Sequence, residues 1–267
     1  MNFPTSQTPP PPSPYPSNQP MQPPPSGPGL SAMQRLINMF FAPSKTFEDL
    51  KRNSSWWVPW LVTGVFTVIF GIVAVQKIDM ARFIQQQIDK SPSAQKRLEQ
   101  LSPEQRAQGI AIQAAFTKGV FYTYPVISLI GGLIIAAVLI VVFNFIMGAE
   151  VPFSRALAVV FYSFVPWIIS SILLTVSLLV SSDPNTIDLA NPMPTNPAFF
   201  MDPQGNKFLY AIASSIDIFK IWLVILLGLG FSVASSNRKP STSTGITTMF
   251  VVYGILVLCG AVWKSLF

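Results

Sequence analysis

Residues 126–147 read VISLIGGLIIAAVLIVVFNFIM, and this stretch decides the fold because it carries no charged side chain. The hydrocarbon core of a bilayer is about 30 Å thick, so a helix that crosses it needs roughly 20 consecutive apolar residues. The stretch meets that requirement, and the residues before it, back to Gly119, are also uncharged. The sequence therefore predicts a transmembrane helix over about 119–147.

The composition of the whole chain is typical of a membrane protein. Half of the residues are hydrophobic and only 10% are charged, and the mean hydropathy is +0.48. A soluble domain carries about 25% charged residues. Four further segments are long and apolar enough to cross a bilayer, so we predict an all-α, polytopic membrane protein with five transmembrane helices in one bundle. Besides 119–147, the spans are predicted at about 57–76, 156–180, 209–234 and 246–263.

The fourth predicted span contains two ionisable residues. Its uninterrupted apolar run, residues 221–234, is too short to cross a bilayer, so the span must extend back through Lys220 and Asp217 to about Leu209. The two charges stand three residues apart and can share one helical face. Two interpretations remain open: a neutralised pair that lines a polar cavity, or a lysine that reaches the interface and an aspartate at the headgroups.

Other residues inside the spans are candidates for function or for packing. Pro166, near the centre of the third span, frees the carbonyl of Tyr162, and together they predict either a hinge with a polar pocket or a packing kink. Asn144 is expected to hydrogen-bond across helices. A stripe of small residues on the second span predicts close helix packing. The members of this stripe are Ser128, Gly132 and Ala136.

Tryptophans and basic residues mark the ends of the spans. Tryptophan is enriched at membrane interfaces, and four are predicted as interfacial anchors: Trp56, Trp57, Trp60 and Trp263. Lysine and arginine collect on cytoplasmic flanks. Flanks on one side hold Lys45, Lys51, Arg52, Arg155, Arg238 and Lys239. This distribution predicts a cytoplasmic N-terminus and a C-terminus outside, although the loop 77–118 also carries seven basic residues.

The segment before the first span has two parts. Residues 1–28 contain 12 prolines and no charged side chain, which predicts a disordered tail. This tail is either a spacer or a polyproline docking strip for a cytoplasmic partner. Residues 31–52 predict a juxtamembrane amphipathic segment, in which a short helix ends before Pro43 and either lies on the cytoplasmic surface of the membrane or packs against the bundle. Its apolar positions are Met33, Leu36, Ile37, Phe40 and Phe41.

Two loops are long enough to have a character of their own. The loop 77–118 is predicted to be helical and extramembrane, because Ser102, Pro103 and Gln105 form a helix-starting pattern. The loop 181–207 contains five prolines and is predicted to be irregular.

Missing residue types exclude most catalytic chemistry. The chain has no histidine and a single cysteine, so it can build neither a histidine-based catalytic triad nor a thiolate zinc site. We therefore expect a protein that is not an enzyme and that has no metal and no cofactor. The net charge of +6 lies around the membrane flanks, which favours contact with the lipid bilayer over nucleic acid.

The order of the spans and several short sequence motifs resemble the Yip family of integral membrane proteins, which is named for interaction with Ypt/Rab GTPases. The resemblance is to its bacterial-type members in particular. The resemblance covers about residues 35–265. It rests on four segments: FFAPSKTFEDL (40–50), SSWWVPWL (54–61), RALAVVFYSFVPWIIS (155–170) and SIDIFKIWLVILLGLGFS (215–232). It implies a five-helix membrane domain over 57–267 with a cytoplasmic N-terminus, and roles in membrane trafficking and shaping among eukaryotic members.

Two functions remain as hypotheses. The first is a non-enzymatic, membrane-embedded adaptor or organiser that binds membrane or cytoplasmic proteins, with homo-oligomerisation left open. The second is a small transporter or channel that uses a polar path near Asp217, Lys220 and the helix break at Pro166. The bacterial cytoplasmic membrane is the expected location, and the ER or Golgi membrane is the alternative.

Overall fold

A computed structural model describes residues 28–237 and 240–266. The predicted proline-rich tail, apart from Pro28, lies outside these residues, as do Arg238 and Lys239. The described chain is helical and contains no strand. The all-α prediction is therefore confirmed.

Eleven α-helices are found in the described residues. In chain order they are α1 (Ala32–Phe41), α2 (Pro43–Asp49), α3 (Trp57–Lys77), α4 (Met80–Asp89), α5 (Pro92–Glu99), α6 (Pro103–Ile140), α7 (Phe153–Ser163), α8 (Trp167–Val180), α9 (Lys207–Ser215), α10 (Ile218–Ala234) and α11 (Thr242–Leu266). A π-helical segment, Val141–Ile146, prolongs α6, and two short 3₁₀ turns, Pro184–Thr186 and Pro197–Phe200, lie between α8 and α9.

Four helical stretches among the described residues are long and apolar enough to cross a membrane, and a bent pair makes a fifth if its two helices form one span. The four are Trp57–Lys77, Pro103–Ile146, Phe153–Val180 and Thr242–Leu266. The pair consists of α9 and α10, whose axes differ by 57°. These stretches correspond to the predicted membrane helices. Their boundaries differ from the predicted ones where a capping residue or a helix break sets the end of a helix.

Contacts between the helix ends show how the spans alternate. We call the side of the membrane on which α3 begins the near side, and the opposite side the far side. On the near side, Ser54 bonds to Ser154 at the start of α7, and Arg155 donates to the carbonyl of Ala234 at the end of α10. On the far side, Lys90 after α4 pairs with Asp188 after α8 at 2.7 Å. These contacts favour α9 and α10 together as one crossing from far to near.

The second span starts much earlier than Gly119. Helix α6 begins at Pro103, because Ser102 and Gln105 form a reciprocal capping box, and it continues through the internal Pro125 without ending there. With its π-helical segment it runs for 44 residues, or about 66 Å at roughly 1.5 Å per residue. Since this is about twice the thickness of a hydrocarbon core, the first part of α6 extends beyond the far ends of its neighbours. Residues 77–118 thus hold α4, α5 and the start of α6.

The third span contains a turn at Phe164–Pro166 that separates two helices, and both helices belong to one helical stretch, Phe153–Val180. Helix α7 ends at Ser163 and α8 begins at Trp167, directly after Pro166. The carbonyl of Tyr162 accepts a hydrogen bond from the amide of Val165 at 3.1 Å. A tight turn therefore satisfies the carbonyl that proline would leave free, and the helix stops there.

Helix α7 is the centre of the core. All eight residues from Ala156 to Ser163 are buried, because α1, α3, α6 and α10 all pack against this helix. Aromatic rings fill the spaces between the helices. Phe143 stacks on Phe231 with ring centroids 4.7 Å apart, and Phe161 stacks on Trp56 at 5.7 Å.

Small residues set the closest helix contacts. A methyl group added to Gly132 on α6 would lie 2.5 Å from the ring of Phe161, and one added to Gly228 on α10 would lie 2.5 Å from the Cα of Ile246 on α11. Backbones that approach this closely leave no room for a side chain. Gly254, also on α11, has open space at the same position.

The Gly228 contact yields a prediction with an internal control. We expect Gly228→Ala to lower the free energy of unfolding by about 1–3 kcal/mol, because the new methyl group meets backbone that has to move. Gly254→Ala should be neutral or should raise stability by up to about 1 kcal/mol, because alanine is the better helix former and meets nothing. Unfolding of both variants in mixed micelles measures the difference, and equal losses would contradict the tight crossing.

Candidate functional site

The break between α9 and α10 holds the two ionisable residues of the fourth span. Asp217 is the N-cap of α10, and its side chain accepts hydrogen bonds from the amides of Phe219 at 2.9 Å and Lys220 at 3.2 Å. The hydroxyl of Thr195, from the loop between α8 and α9, donates to the same carboxylate. Asp217 is buried. Its carboxylate thus closes the N-terminal end of a helix.

The other side of the break is closed by two donors. Lys220 Nζ donates to the carbonyl of Ser214 at 2.8 Å, and the Tyr253 hydroxyl from α11 donates to the carbonyl of Ser215 at 2.7 Å. The last carbonyls of a helix have no partner within it, so these donors supply what α9 lacks. Asp217 and Lys220 therefore bond to opposite helix ends and are not among the salt bridges found in the described residues.

The break lies close to the far surface of the membrane. Helix α10 has 17 residues and is about 25 Å long at roughly 1.5 Å per residue. Its end at Ala234 is on the near side, so Asp217 is separated from that side by most of a hydrocarbon core of about 30 Å. The backbone of Thr195 also reaches the break, since its carbonyl accepts from the amide of Ile218 at 3.1 Å.

A second polar cluster joins α1 to α2 on the near side. Arg35 forms a salt bridge with Asp49 at 2.8 Å, and both side chains are less than 10% exposed. Arg35 also donates to the carbonyl of Asn53 at 2.9 Å, and the Thr46 hydroxyl donates to the carbonyl of Arg35 at 3.0 Å. Asp49 in addition accepts from the amide of Leu30 at 3.2 Å. This ion pair is fully embedded in hydrogen bonds.

Tyr162 connects this cluster to the core. It is buried on α7, where its hydroxyl lies close enough to the Arg35 and Asp49 charges to interact with them electrostatically. The structure therefore brings one predicted site residue, Tyr162, next to Arg35 and Asp49, which the sequence analysis did not single out. Pro166 lies four residues further along, at the end of the turn that separates α7 from α8.

The helical spacing of buried residues indicates the Arg35–Asp49 pair, which the sequence-based prediction did not include. Arg35, Leu36 and Met39 are the buried residues of α1, so a charge stands inside the apolar stripe that faces the bundle. On α2 the buried set is Thr46, Phe47 and Asp49. A charged residue in phase with buried apolar residues on each of two adjacent short helices points to an internal ion pair.

Asn144 does not bond across helices as predicted. Its side-chain amide donates to the carbonyl of Val151 at 2.8 Å, and its side-chain oxygen accepts from the amide of Val151 at 2.9 Å. It thus closes the tight turn between α6 and α7, in which Gly148 and Glu150 both have positive φ, 69° and 47°. A turn of this kind leaves backbone groups unpaired, and the asparagine supplies both partners.

The four predicted tryptophan anchors fall into two classes. Trp57 and Trp263 are exposed, by 56% and 65%, at opposite ends of the bundle. Trp56 stacks on Phe161, and the ring N–H of Trp60 donates to the carbonyl of Pro125 on α6 at 3.0 Å. Trp56 and Trp60 therefore contact neighbouring helices and are not interfacial anchors of the exposed kind. In the predicted packing stripe, Gly132 and Ala136 are buried, whereas Ser128 is half-buried and donates to the carbonyl of Pro125 at 2.8 Å.

The far side carries a cavity of about 340 Å³ in the loop between α8 and α9. Asp188, Asn191, Phe199 and Tyr210 are among the residues that line it. Asp188 also lines a neighbouring cavity and pairs with Lys90, so the loop and the end of α4 hold each other in place. Within residues 28–237 and 240–266, no cluster of three or more histidine, cysteine, aspartate or glutamate side chains is placed to hold a metal ion.

The buried ion pair yields a prediction by double substitution. Arg35→Met leaves the Asp49 carboxylate buried and unpaired, so we expect a loss of about 3–5 kcal/mol in the free energy of unfolding. The double variant Arg35→Met with Asp49→Leu removes both charges and should recover most of that loss. Unfolding in mixed micelles measures all variants.

A matched control is the exposed pair Lys51 and Glu48, whose atoms are 3.0 Å apart. The variant Lys51→Gln with Glu48→Gln should cost less than about 1 kcal/mol, because solvent screens this pair. A loss for Arg35→Met no larger than that of the control would show that the buried pair does not hold α1 on the bundle.

Comparison with protein families gives one match. The family model described as Yip1 domain matches residues 37–263. The matched range begins inside α1 and ends near the end of α11, so it includes all the spans and both polar clusters except Leu30 and Arg35. No curated protein matches the chain, and no solved structure matches it.

Proposed function

Because the chain belongs to the Yip1 domain family, we propose that it is a non-enzymatic, membrane-embedded organiser that binds other proteins. One observation carries this proposal. Both ionisable residues of the fourth span form hydrogen bonds with backbone groups at helix ends. Asp217 accepts from amides at the start of α10, and Lys220 donates to a carbonyl at the end of α9. Groups engaged in this way stabilise a scaffold and are not available to a passing solute.

Exposed helix faces supply the binding surface in this proposal. Helix α11 contacts mainly α9 and α10, and its other face is apolar and exposed. Val251, Ile255, Leu258 and Val262 form that face, with between 49% and 56% exposure. Transmembrane helices associate through packing of such faces. The partner is therefore proposed to be another membrane protein or a second copy of this chain.

The proline-rich tail is the second proposed binding element. Its 12 prolines among residues 1–28 suit the extended polyproline conformation that aromatic-lined grooves recognise. The amide of Leu30, just after the tail, is bonded to Asp49, so the tail starts from a fixed point on the near side. Such a tail can reach a soluble partner while the spans stay in place.

A transporter or channel is the alternative, and two helix breaks in one bundle favour it. Discontinuous helices often surround the substrate site of transporters. Here the breaks are at Phe164–Pro166 and at Ile216–Asp217. In this function the polar groups at the breaks would line a path, and their charges would be needed for flux.

One pair of variants separates the two functions. Asp217→Asn with Lys220→Gln removes both charges and keeps an acceptor for the N-cap of α10 and a donor for α9. For an organiser we expect the same set of partners in crosslinking and unchanged permeability of reconstituted vesicles. For a transporter, flux should fall at least about tenfold, since an interaction worth about 1.4 kcal/mol is lost.

The control is Lys96→Gln with Glu99→Gln, because these residues are also three apart but lie exposed on α5. Deletion of residues 2–28 tests the tail separately. An organiser should lose a soluble partner and keep its permeability unchanged. Retention of every partner by the deletion variant would remove the tail from the proposal, and loss of flux in the neutralised variant alone would overturn the organiser.

We further propose that the near side is the cytoplasm and that the membrane is the cytoplasmic membrane of a bacterium. Basic residues on the near side support this orientation, namely Lys45, Lys51, Arg52 and Arg155. An ER or Golgi membrane is the alternative. Reporter fusions at Met1 and at Phe267 should report opposite compartments, with Met1 inside. A signal from the same compartment for both fusions would contradict five crossings.

A further inference from the structure

We propose that α1 and α2 form a hairpin inserted into the near leaflet, in which the exposed edge of α1, formed by Met33, Ile37 and Phe41, contacts lipid acyl chains. The proposal concerns the membrane-contacting surface of this chain and is independent of the function argued above. It rests on the depth of the hairpin, on the internal pairing of its charges and on the chemistry of its exposed edge.

The depth of the hairpin follows from its contact with α10. The rings of Phe40 and Trp222 meet edge to face, with centroids 6.0 Å apart. Trp222 precedes Ala234, the near-side end of α10, by 234 − 222 = 12 residues, which is about 18 Å at roughly 1.5 Å per residue. The turn after Phe40 therefore lies far above the near end of the bundle.

The chain then returns toward the near side. Phe47 on α2 is fully buried and lies beside Gly230, which is four residues from the end of α10. Ser54 bonds to Ser154 at the start of α7. Helix α1 thus rises toward its end, α2 descends from the turn, and the two together occupy the near half of the bundle without crossing it.

The ion pair between Arg35 and Asp49 allows the hairpin to lie within the leaflet. An unpaired charge within a membrane is costly, but Arg35 and Asp49 bond to each other and to backbone groups of Asn53 and Leu30. Both side chains point into the protein, with 6% and 8% exposure. The charged content of α1 is therefore turned away from the surroundings.

The exposed edge of α1 is apolar. Met33, Ile37 and Phe41 recur every four residues, so they form one ridge, and they are 65%, 49% and 83% exposed. Exposure of apolar surface to water costs about 25 cal/mol per Å². None of the exposed residues of α1 is charged, whereas α2 exposes Lys45 and Glu48. The two helices therefore expose different groups, α1 an apolar edge and α2 charged side chains that can extend toward the headgroups.

Acyl chains are the occupant that fits both depth and chemistry. A bilayer would surround the bundle with hydrocarbon at the level of Trp222, and a ridge with methionine, isoleucine and phenylalanine requires no hydrogen-bond partner. Lys45 stands close to the turn, and its long side chain can carry the ammonium group to the headgroups.

Fluorescent labels at single cysteines test the proposal. Cys259→Ser removes the one native cysteine, and Ile37→Cys, Phe41→Cys and the control Glu48→Cys then introduce single exposed sites. Each is labelled with an environment-sensitive dye in purified full-length protein and reconstituted into phosphatidylcholine and phosphatidylglycerol vesicles. All three substitutions replace exposed side chains, and gel filtration of each labelled protein checks that it is folded.

We expect phospholipids brominated on the acyl chain to quench the labels at residues 37 and 41 at least about twofold more than aqueous iodide does. The label at residue 48 should show the reverse. Iodide quenching at residues 37 and 41 that equals the quenching at residue 48 would overturn the proposal. Protection of both labels from both quenchers would also overturn it, because a second copy of the chain would then cover the ridge.

Discussion

Backbone groups inside a bilayer have no water to bond to, and this constraint governs the structure of the protein. Each unpaired N–H or C=O at membrane depth costs several kcal/mol, so every interruption of a spanning helix has to be closed by the protein itself. Within the residues that the structure describes, the spans are interrupted at Phe164–Pro166 and at Ile216–Asp217, and a sharp turn follows α6. At the break of the fourth span and at the turn after α6, polar side chains close the backbone, through Asp217, Lys220, Tyr253 and Asn144. At Pro166 a tight backbone turn does so.

This view changes the meaning of charged residues within the spans. An ionisable residue in a membrane helix usually indicates a functional site. Asp217 and Lys220 instead have partners that belong to two helix ends, and the loop residue Thr195 completes the arrangement. Arg35 and Asp49 serve a comparable purpose, since they join two short helices that could not be buried with unpaired charges. In the organiser that we propose, binding therefore takes place on the exposed faces of the helices.

The sequence predicts what depends on length and periodicity, and misses what depends on distant partners. Uncharged runs such as 126–147 identify the spans, because no other structure can place so many apolar residues. The helix start at Ser102, Pro103 and Gln105 is predicted from the sequence, because a capping box is local. A helix break at Pro166 is compatible with the sequence, but the choice between kink and break depends on packing around α7. The partner of Asn144 depends on the turn that follows α6, and the Arg35–Asp49 pair depends on two helices folding back on each other.

The juxtamembrane helices are part of the membrane domain in both structure and family. The Yip1 domain match begins at residue 37, within α1, and not at the first span. Phe47 on α2 and Val159 on α7 both lie against Gly230 on α10, and a methyl group added to Gly230 would lie 2.5 Å from Val159 and 3.0 Å from the ring of Phe47. The absence of a side chain at Gly230 and the burial of Phe47 therefore belong to one packing solution. Because α1 packs against α7 and α2 packs against α10, the two short helices cover part of the core on the near side.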